Sequence, residues 1–539
     1  MRTRIVRIIV LLAVTVLLGA ILTASADETP QYGGVLRIVY VTTEKSINVC
    51  AYNRSMLNEI AQNFYEPLFG RDENNKIIGV LCESWSASED GLVHTLKLRP
   101  NVTFHDGTAF NAEVVKWNFD RMFRLKQTNQ IPLLPLDRCE VVDDMTVNLV
   151  LTRPSPDIYA VLGANTWSMY SPTFVESAGD DDAANAMLAL NACGTGPFIV
   201  EEFIPNEVLR LKRNPNYWQE GLPYLDGIVY QVVPDINTRA MMLETGEADI
   251  AMDLSMPDTM RFENDPDMTV FPGLGSRQYY MELNNAKGPC QDVRIRQAIN
   301  YAVDKQAIID TVYFGRAWIA RSPVIAPWVD GFADIGYYEY NPDKARQLLD
   351  EAGWKMGRAG YRQRDNGEKL LLSLHTRKGA RPGDLETAEY VQAMLKDVGI
   401  AVSIVVHDTA AFMYTVGEPA SAEESVHDML NMDWGCYSGD AAYTIYRMYR
   451  CFWVPPIGSN RGYFCDEEVE RLADLAMTKP TLEERNVIFA EIQQRAFDQA
   501  GWLVLYEVQS FLNARSWVHG CYHAVVSSNW PMKQVWMDK

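Results

Sequence analysis

The chain has 539 residues, more than one hydrophobic core organises, and its 47% hydrophobic and 22% charged side chains are the composition of a globular protein built from at least two units. A formal net charge of −21 excludes nucleic acid and anionic lipid head groups as partners, because both require a basic surface. The acidity fits an abundant exported protein that must stay soluble.

Residues 1–26 differ from everything after them. Arg2, Arg4 and Arg7 form a positive n-region, Ile8 to Leu22 is almost wholly apolar, and Ala24-Ser25-Ala26 supplies the small residues a signal peptidase requires. The apolar run is a little short to cross a bilayer, and no Cys lies at the junction to carry a lipid, so a free periplasmic protein cleaved after Ala26 is expected. Removing the segment takes away three positive charges and no acid, lowering the formal charge from −21 to −24. All nine Cys follow it, in an oxidising compartment, and the odd number leaves at least one thiol unpaired.

Val35 to Val41 (VLRIVYV) alternates as a strand does, and SMLNEIAQNFYEPLF, from Ser55, has apolar residues at helical spacing, so a strand and a helix open the first lobe. GLVHTLKLRPNVTFHDGTAF supplies two β-type runs and a turn at Asp106-Gly107 before the helix NAEVVKWNFDRMF. MTVNLVLTRPSPDIYAVLG is again a strand running into a helix, and Gly194 to Trp218 reads as two antiparallel strands closed by an Asn-Pro turn. From Gln291 long helices dominate: DVRIRQAINYAVDKQAIIDTVYFG ends at a Gly suited to a helix C-cap, and NPDKARQLLDEAG ends the same way. KLLLSLHT, DLETAEYVQAMLKDVG and IAVSIVVHD form a strand, helix, strand unit, whose crossover implies parallel strands and an α/β second lobe. The helix TLEERNVIFAEIQQRAFDQAG leads into WLVLYEVQSFLNA, a strand long enough to cross back between lobes.

In an open α/β sheet a ligand sits beyond the carboxyl ends of the strands, near helix N-termini. Three loops meet that description. TRKGARPGD places Arg377 and Arg381 where paired N–H donors can clamp a ligand carboxylate; His407 and Asp408 follow the next strand; Gly435 to Asp440 follow DMLNMDW. Thirteen Trp and 26 Tyr are the side chains with which exported recognition proteins line deep clefts. Metal and enzyme readings are weaker. His519, Cys521 and His523 share one face of an extended segment, which spans too great a length to chelate one ion without a bend, and His105-Asp106-Gly107 reads as a hairpin turn. No G-x-S-x-G elbow, phosphate loop, dinucleotide fingerprint or H-E-x-x-H is present. No catalytic residue, cofactor or metal is expected.

Several segments in order, YEPLFGRDENNKIIGVLCESWSASEDGLVHTLKLRPNVTFHDGTAFNAEVVKWNFDRM, GTGPFIVEEFIPNEVLRLKRNPNYW, MMLETGEADIA, NNAKGPCQDVRIRQAINYAVDKQAII and NPDKARQLLDEAGW, together resemble the periplasmic solute-binding proteins of ABC importers for oligopeptides, dipeptides and nickel chelates, solute-binding family 5. The resemblance covers nearly the whole chain after residue 26. It implies an α/β, two-lobed periplasmic binding protein clamp, type II-like, with an extra subdomain in lobe I, which closes on a ligand and delivers it to permease subunits in the inner membrane. By this analogy residues 27–285 form lobe I, with the extra subdomain at about 70–192; residues 286–508 form lobe II, and 509–539 return to lobe I. The implied protein is a monomer without catalysis that binds a small peptide or peptide-like solute. A nickel chelate or other non-peptide solute, or a ligand-sensing role for the same clamp, are the alternatives.

The resemblance also marks residues. In the peptide binders the Trp of the segment MDWGCYSGD, here Trp434, is followed three residues later by an Asp that receives the peptide's ammonium group; that place is Tyr437 here. A buried ammonium without a carboxylate is strongly disfavoured, and Asp440 is the nearest acidic substitute. TRKGARPG resembles the loop that clamps the peptide carboxylate, with Arg377 and Arg381 as alternatives. Asn48 and Tyr52 in SINVCAYN, and Trp167 and Tyr170 in GANTWSMY, are expected to face the cleft. Cys451 and Cys465 match the pair that forms a local disulfide in dipeptide-binding members.

Overall fold

Alternation of apolar residues builds the first sheet. Leu36, Ile38 and Tyr40 of strand Val35–Tyr40 are buried in a large core, and the strand pairs in parallel with Gly227–Val232 on one side and Ile250–Ala251 on the other. The computed structural model describes residues 29–539 except 42–44, 52–54, 73–75, 127–133, 156, 274–276, 379–380, 418, 420, 437, 457, 480 and 522–531. The expected signal segment, Tyr52, Tyr437 and His523 therefore lie outside the described residues. The first sheet has seven strands, in the order Met268–Gly273, Ser510–Arg515, Ile250–Ala251, Val35–Tyr40, Gly227–Val232, Val208–Arg213 and Phe198–Ile204. A separate antiparallel sheet of four strands, Cys82–Ala87, Val93–Leu98, Thr146–Leu151 and Leu136–Asp143, carries the helix Ala112–Leu125. Asn111 caps that helix by accepting from the Val114 amide at 3.1 Å.

The second large sheet has six strands: Ala317–Ile319, Trp502–Val508, Arg277–Leu283, Met429–Gly435, Leu371–Arg377 and Ala401–His407. Leu371–Arg377 and Ala401–His407 pair in parallel across the helix Asp384–Asp397, as their spacing requires. Ile295 and Ile299, Leu349, and Val391 and Leu395, from three helices, form the core beneath this sheet with Leu372 and Leu374. The architecture is thus α/β and two-lobed.

The chain passes between the two large sheets from Gly273 to Arg277 and again from Val508 to Ser510. Gly273 pairs with Ser510 and Gln278 with Glu507, so the strand ends that flank the two crossings are themselves paired as a ribbon.

Local chemistry altered three elements from their sequence reading. The segment DVRIRQAINYAVDKQAIIDTVYFG is two helices, Val293–Ala302 and Lys305–Val312, because Asp304 accepts from the Ala307 amide at 3.0 Å and starts the second. Lys305 Nζ donates to the Asn300 carbonyl at 3.1 Å, satisfying an acceptor freed at the break. The opening helix stops at Ala61 instead of running to Phe69, and the Asn63 side chain donates to the Ile60 carbonyl just beyond its end. The Phe198–Ile204 and Val208–Arg213 hairpin turns at Pro205-Asn206-Glu207, with Asn206 at φ +60°, while Asn214-Pro215 follows its second strand. Asp106 accepts from Thr108 and Ser171, so His105-Asp106-Gly107 is a turn as read. Cys451 and Cys465 are joined in a disulfide, and the other seven Cys are free, six of them buried.

Candidate functional site

A cavity of about 630 Å³ lies between the lobes, beside the crossing ribbon. The first lobe contributes Glu59 from the helix Ser55–Ala61 and Asp253 from the turn after Ile250–Ala251. Arg277 and Tyr279 come from one strand of the second lobe, and Arg381 from the loop after Leu371–Arg377. Gln509 and Phe511 of the ribbon complete that side, and Tyr313, Phe314 and Tyr390 supply aromatic wall. The volume and the mixture of aromatic walls with a few charged groups are those of a small-molecule site.

The charges form a network centred on Asp433, which alternation brings to the inner face of strand Met429–Gly435 opposite Tyr279. Arg377 Nη2 donates to Asp433 Oδ1 at 2.7 Å and its Nε to Asp384 Oδ2 at 3.1 Å. Arg277 is ion-paired with the other Asp433 oxygen, which also lies 3.8 Å from Arg381 Nε. Burial disfavours the charged carboxylate, but the guanidiniums of Arg277, Arg377 and Arg381 outweigh it and hold Asp433 well below the usual carboxylate range. Burial instead prevails at Asp384, pushed up to about 6 against Arg377, and at Glu59, pushed up to about 7 against Arg381 and Arg277.

Arg381 Nη1 donates to Asp253 Oδ1 at 3.2 Å, an ion pair from lobe to lobe. Asp253 holds a left-handed backbone, φ +51°, which Arg239 fixes by donating to the Met252 and Asp253 carbonyls at 3.1 and 2.9 Å. Arg381 is presented by the turn that ends at Gly383, φ +88°, where a Cβ would stand 2.5 Å from the Tyr313 hydroxyl; glycine is required there. The clamp left open between two arginines by the sequence is now divided: Arg381 lines the cavity, and Arg377 stands behind it, ion-paired to Asp433 and Asp384.

Other sequence expectations need correction. Asp440 is not a free anchor: it caps the helix Ala441–Thr444 by accepting from Ala442 at 2.8 Å and is ion-paired with the buried Arg485, whose Nη1 is 3.3 Å from Asp157 of the first lobe. Trp434 stacks on Tyr443 and donates Nε1–H to Thr444 at 2.9 Å, and it does not line this cavity. Trp167 is fully buried against Phe119 and Phe123, in the core rather than at the cleft. Tyr170 is buried too, donating to Asn48 Oδ1 at 3.1 Å and accepting from the Cys50 amide at 3.2 Å, so Asn48 and Tyr170 hold each other away from the cavity. Among the described residues no group of three or more His, Cys, Asp or Glu side chains could hold a metal ion, and no helix is long and apolar enough to cross a membrane.

Sequence reasoning missed Asp433, Arg277, Asp253 and Glu59. The signal for Asp433 was present: an Asp inside the otherwise buried run MLNMDWG must find cationic partners.

Residues 76–455 match the family described as "Bacterial extracellular solute-binding proteins, family 5 Middle", and the chain belongs to that family. It is therefore an extracellular solute-binding protein with the family's two-lobed clamp. It is 29% identical over 496 residues to the glutathione-binding protein GsiB of Pectobacterium atrosepticum, covering 91% of this chain and 92% of that protein. Among solved structures it resembles NikA from Brucella suis in complex with Fe(III)-EDTA, with a TM-score of 0.80 and 26% identity, over 94% of this chain and 100% of that one. The fold is shared with the oligopeptide-binding protein AppA from Bacillus subtilis in complex with a nonapeptide, with a TM-score of 0.82 and 22% identity, over 95% and 100% of the two chains.

Proposed function

We propose that this protein is the substrate-binding component of an ABC importer, capturing a small peptide or peptide-like solute in the cavity between its lobes and delivering it to permease subunits in the inner membrane. In this reading it is exported, cleaved after Ala26, monomeric in the periplasm, and without catalysis of its own. In this reading the lobes follow the sheets, with lobe I ending between Gly273 and Arg277 instead of at residue 285 and resuming after Gln509, which the pairing of strand Arg277–Leu283 within the six-stranded sheet supports. The four-stranded sheet with its helix is the unit we assign to the extra subdomain.

The observation that carries the reading is the Arg381 guanidinium, lining the interlobe cavity. Its Nε lies 3.8 Å from Asp433 and its Nη1 3.2 Å from Asp253, so two carboxylates hold the guanidinium fork at the cavity wall. A ligand carboxylate completes that fork. The names of the relatives support a peptide ligand. Native mass spectrometry of the purified protein, followed by calorimetric titration with glutathione and a panel of di- and tripeptides, tests it. A peptide-sized solute that co-purifies and rebinds supports the reading; a non-peptide solute, or no binding by any peptide, refutes it. Arg381→Ala lowers the affinity of a carboxylate-bearing ligand by about 10- to 100-fold, the loss of one charged hydrogen bond.

A further inference from the structure

Glu59 stands apart from the other acids of the cavity. It is only 8% exposed and lines the interlobe space, yet no hydrogen bond or ion pair to its carboxyl is formed among the described residues. Arg381 and Arg277, which line the same cavity, act on it electrostatically, and neither forms an ion pair with it among the described residues. A buried carboxyl left unpaired beside an open space costs free energy in the empty protein, and a cationic ligand group removes that cost. Asp433, by contrast, is saturated by arginines, and Asp440 by Arg485 and its helix cap.

The guanidinium of Arg381 and the carboxyl of Glu59 thus line the same space, acting on each other electrostatically without being ion-paired to each other. Two such groups are bridged by a ligand that carries an ammonium and a carboxylate side by side. The geometry points to recognition of an α-amino-acid head group, its carboxylate on Arg381 and its ammonium on Glu59, with Asp253 adding negative charge beside the ammonium. An ordinary peptide lacks this group, because amide formation consumes the α-carboxylate at one end and the α-amine at the other. A free amino acid has it, and so does a peptide joined through a side-chain carboxyl. The inference rests on the peptide-like reading of the cavity and assigns the ammonium to a residue on the lobe opposite the 434–440 segment.

Proton linkage supports it. Burial raises Glu59 to about 7 against the opposing pull of Arg381 and Arg277, and Asp253 and Asp433 push it further up. An ammonium placed on Glu59 ionises it, so binding releases a proton near neutral pH and weakens as the pH falls below 7.

The test compares three isomeric or modified probes on the wild-type protein by calorimetry. Glutathione keeps an intact α-amino-acid head group on its γ-linked glutamate; the α-linked isomer Glu-Cys-Gly has lost the α-carboxylate, and N-acetylglutathione has lost the ammonium. Glutathione is expected to bind at least tenfold tighter than either. Titrations at pH 7 in buffers of different ionisation enthalpy are expected to show release of about half a proton by the wild type and none by Glu59→Gln. In that variant glutathione and N-acetylglutathione bind alike. Equal affinity of all three probes for the wild type, or unchanged proton release in Glu59→Gln, overturns the inference while leaving peptide binding intact. Binding by none of the three overturns the peptide reading on which it rests.

Discussion

Arg377 and Arg381 are four residues apart and do different work, and their variants separate accordingly. Arg377 is buried with Asp433 on one side and Asp384 on the other. Its replacement by Ala strands a buried carboxylate and is expected to cost about 3–5 kcal/mol of stability, measured by urea unfolding, whereas Arg381→Ala acts mainly on affinity. Glu282 offers a pH test. Burial pushes its carboxyl up to about 7 against the Arg461 guanidinium. A carboxyl whose folded pKa lies above its unfolded value stabilises fully below about pH 4.5, and that contribution disappears as the pH rises through 7. Glu282→Gln is therefore expected to gain stability relative to wild type between pH 5 and 7.5; a constant difference in melting temperature across that range contradicts it. At this scale the sequence was half readable. The position of Arg381 at the cavity was legible because a loop that follows a parallel strand opens at the carboxyl edge of the sheet. Trp167 and Tyr170 were misplaced because an aromatic residue carries no sequence mark that distinguishes a core ring from a cleft ring. Asp440 was misassigned because its partner, Arg485, lies 45 positions away.

At the scale of elements, periodicity identified strand Leu371–Arg377, helix Asp384–Asp397 and strand Ala401–His407 together with their parallel pairing. The division of Val293–Val312 into two helices was not legible, since it depends on Asp304 capping a new helix rather than continuing the old one. Asp304→Ala is expected to cost about 1 kcal/mol, as other lost N-caps do. The disulfide closes a loop with a sequence separation of 14 between Cys451 and Cys465. Replacing both by Ser is expected to lower unfolding stability by about 2–4 kcal/mol. Little change between oxidised and reduced wild-type protein would show that the loop is held by other contacts, such as Arg450 on Glu470 and Asp474.

For the whole molecule, the sheets that define two lobes were foreseeable from the order of strands and helices, but the way the lobes meet was not, because it depends on contacts between residues distant in sequence, a shared apolar core and individual ion pairs among them. Arg381 meets Asp253, Arg485 meets Asp157, and Arg316 meets Glu263 at 2.6 Å. The last pair is about one-third exposed on each side and is worth at most about 1 kcal/mol. Arg316→Ala is expected to increase the radius of gyration of the ligand-free protein in small-angle X-ray scattering and to weaken ligand binding by less than about fivefold. An unchanged scattering profile would mean that this pair does not bias the equilibrium between open and closed forms.

The crossing ribbon has a mechanical consequence. Gln509 and Phe511 line the cavity and belong to the pivot itself. In a clamp that closes about this ribbon, an occupant at this wall acts where the lever arm is shortest, and a small displacement there is amplified at the outer rims of the lobes. Two solutes of equal affinity but different bulk at this wall leave the rims at different separations. In the proposed importer, a permease reading those rims would sense the size of the cargo through the posture of its carrier, and transport would discriminate among solutes that binding alone treats as equals.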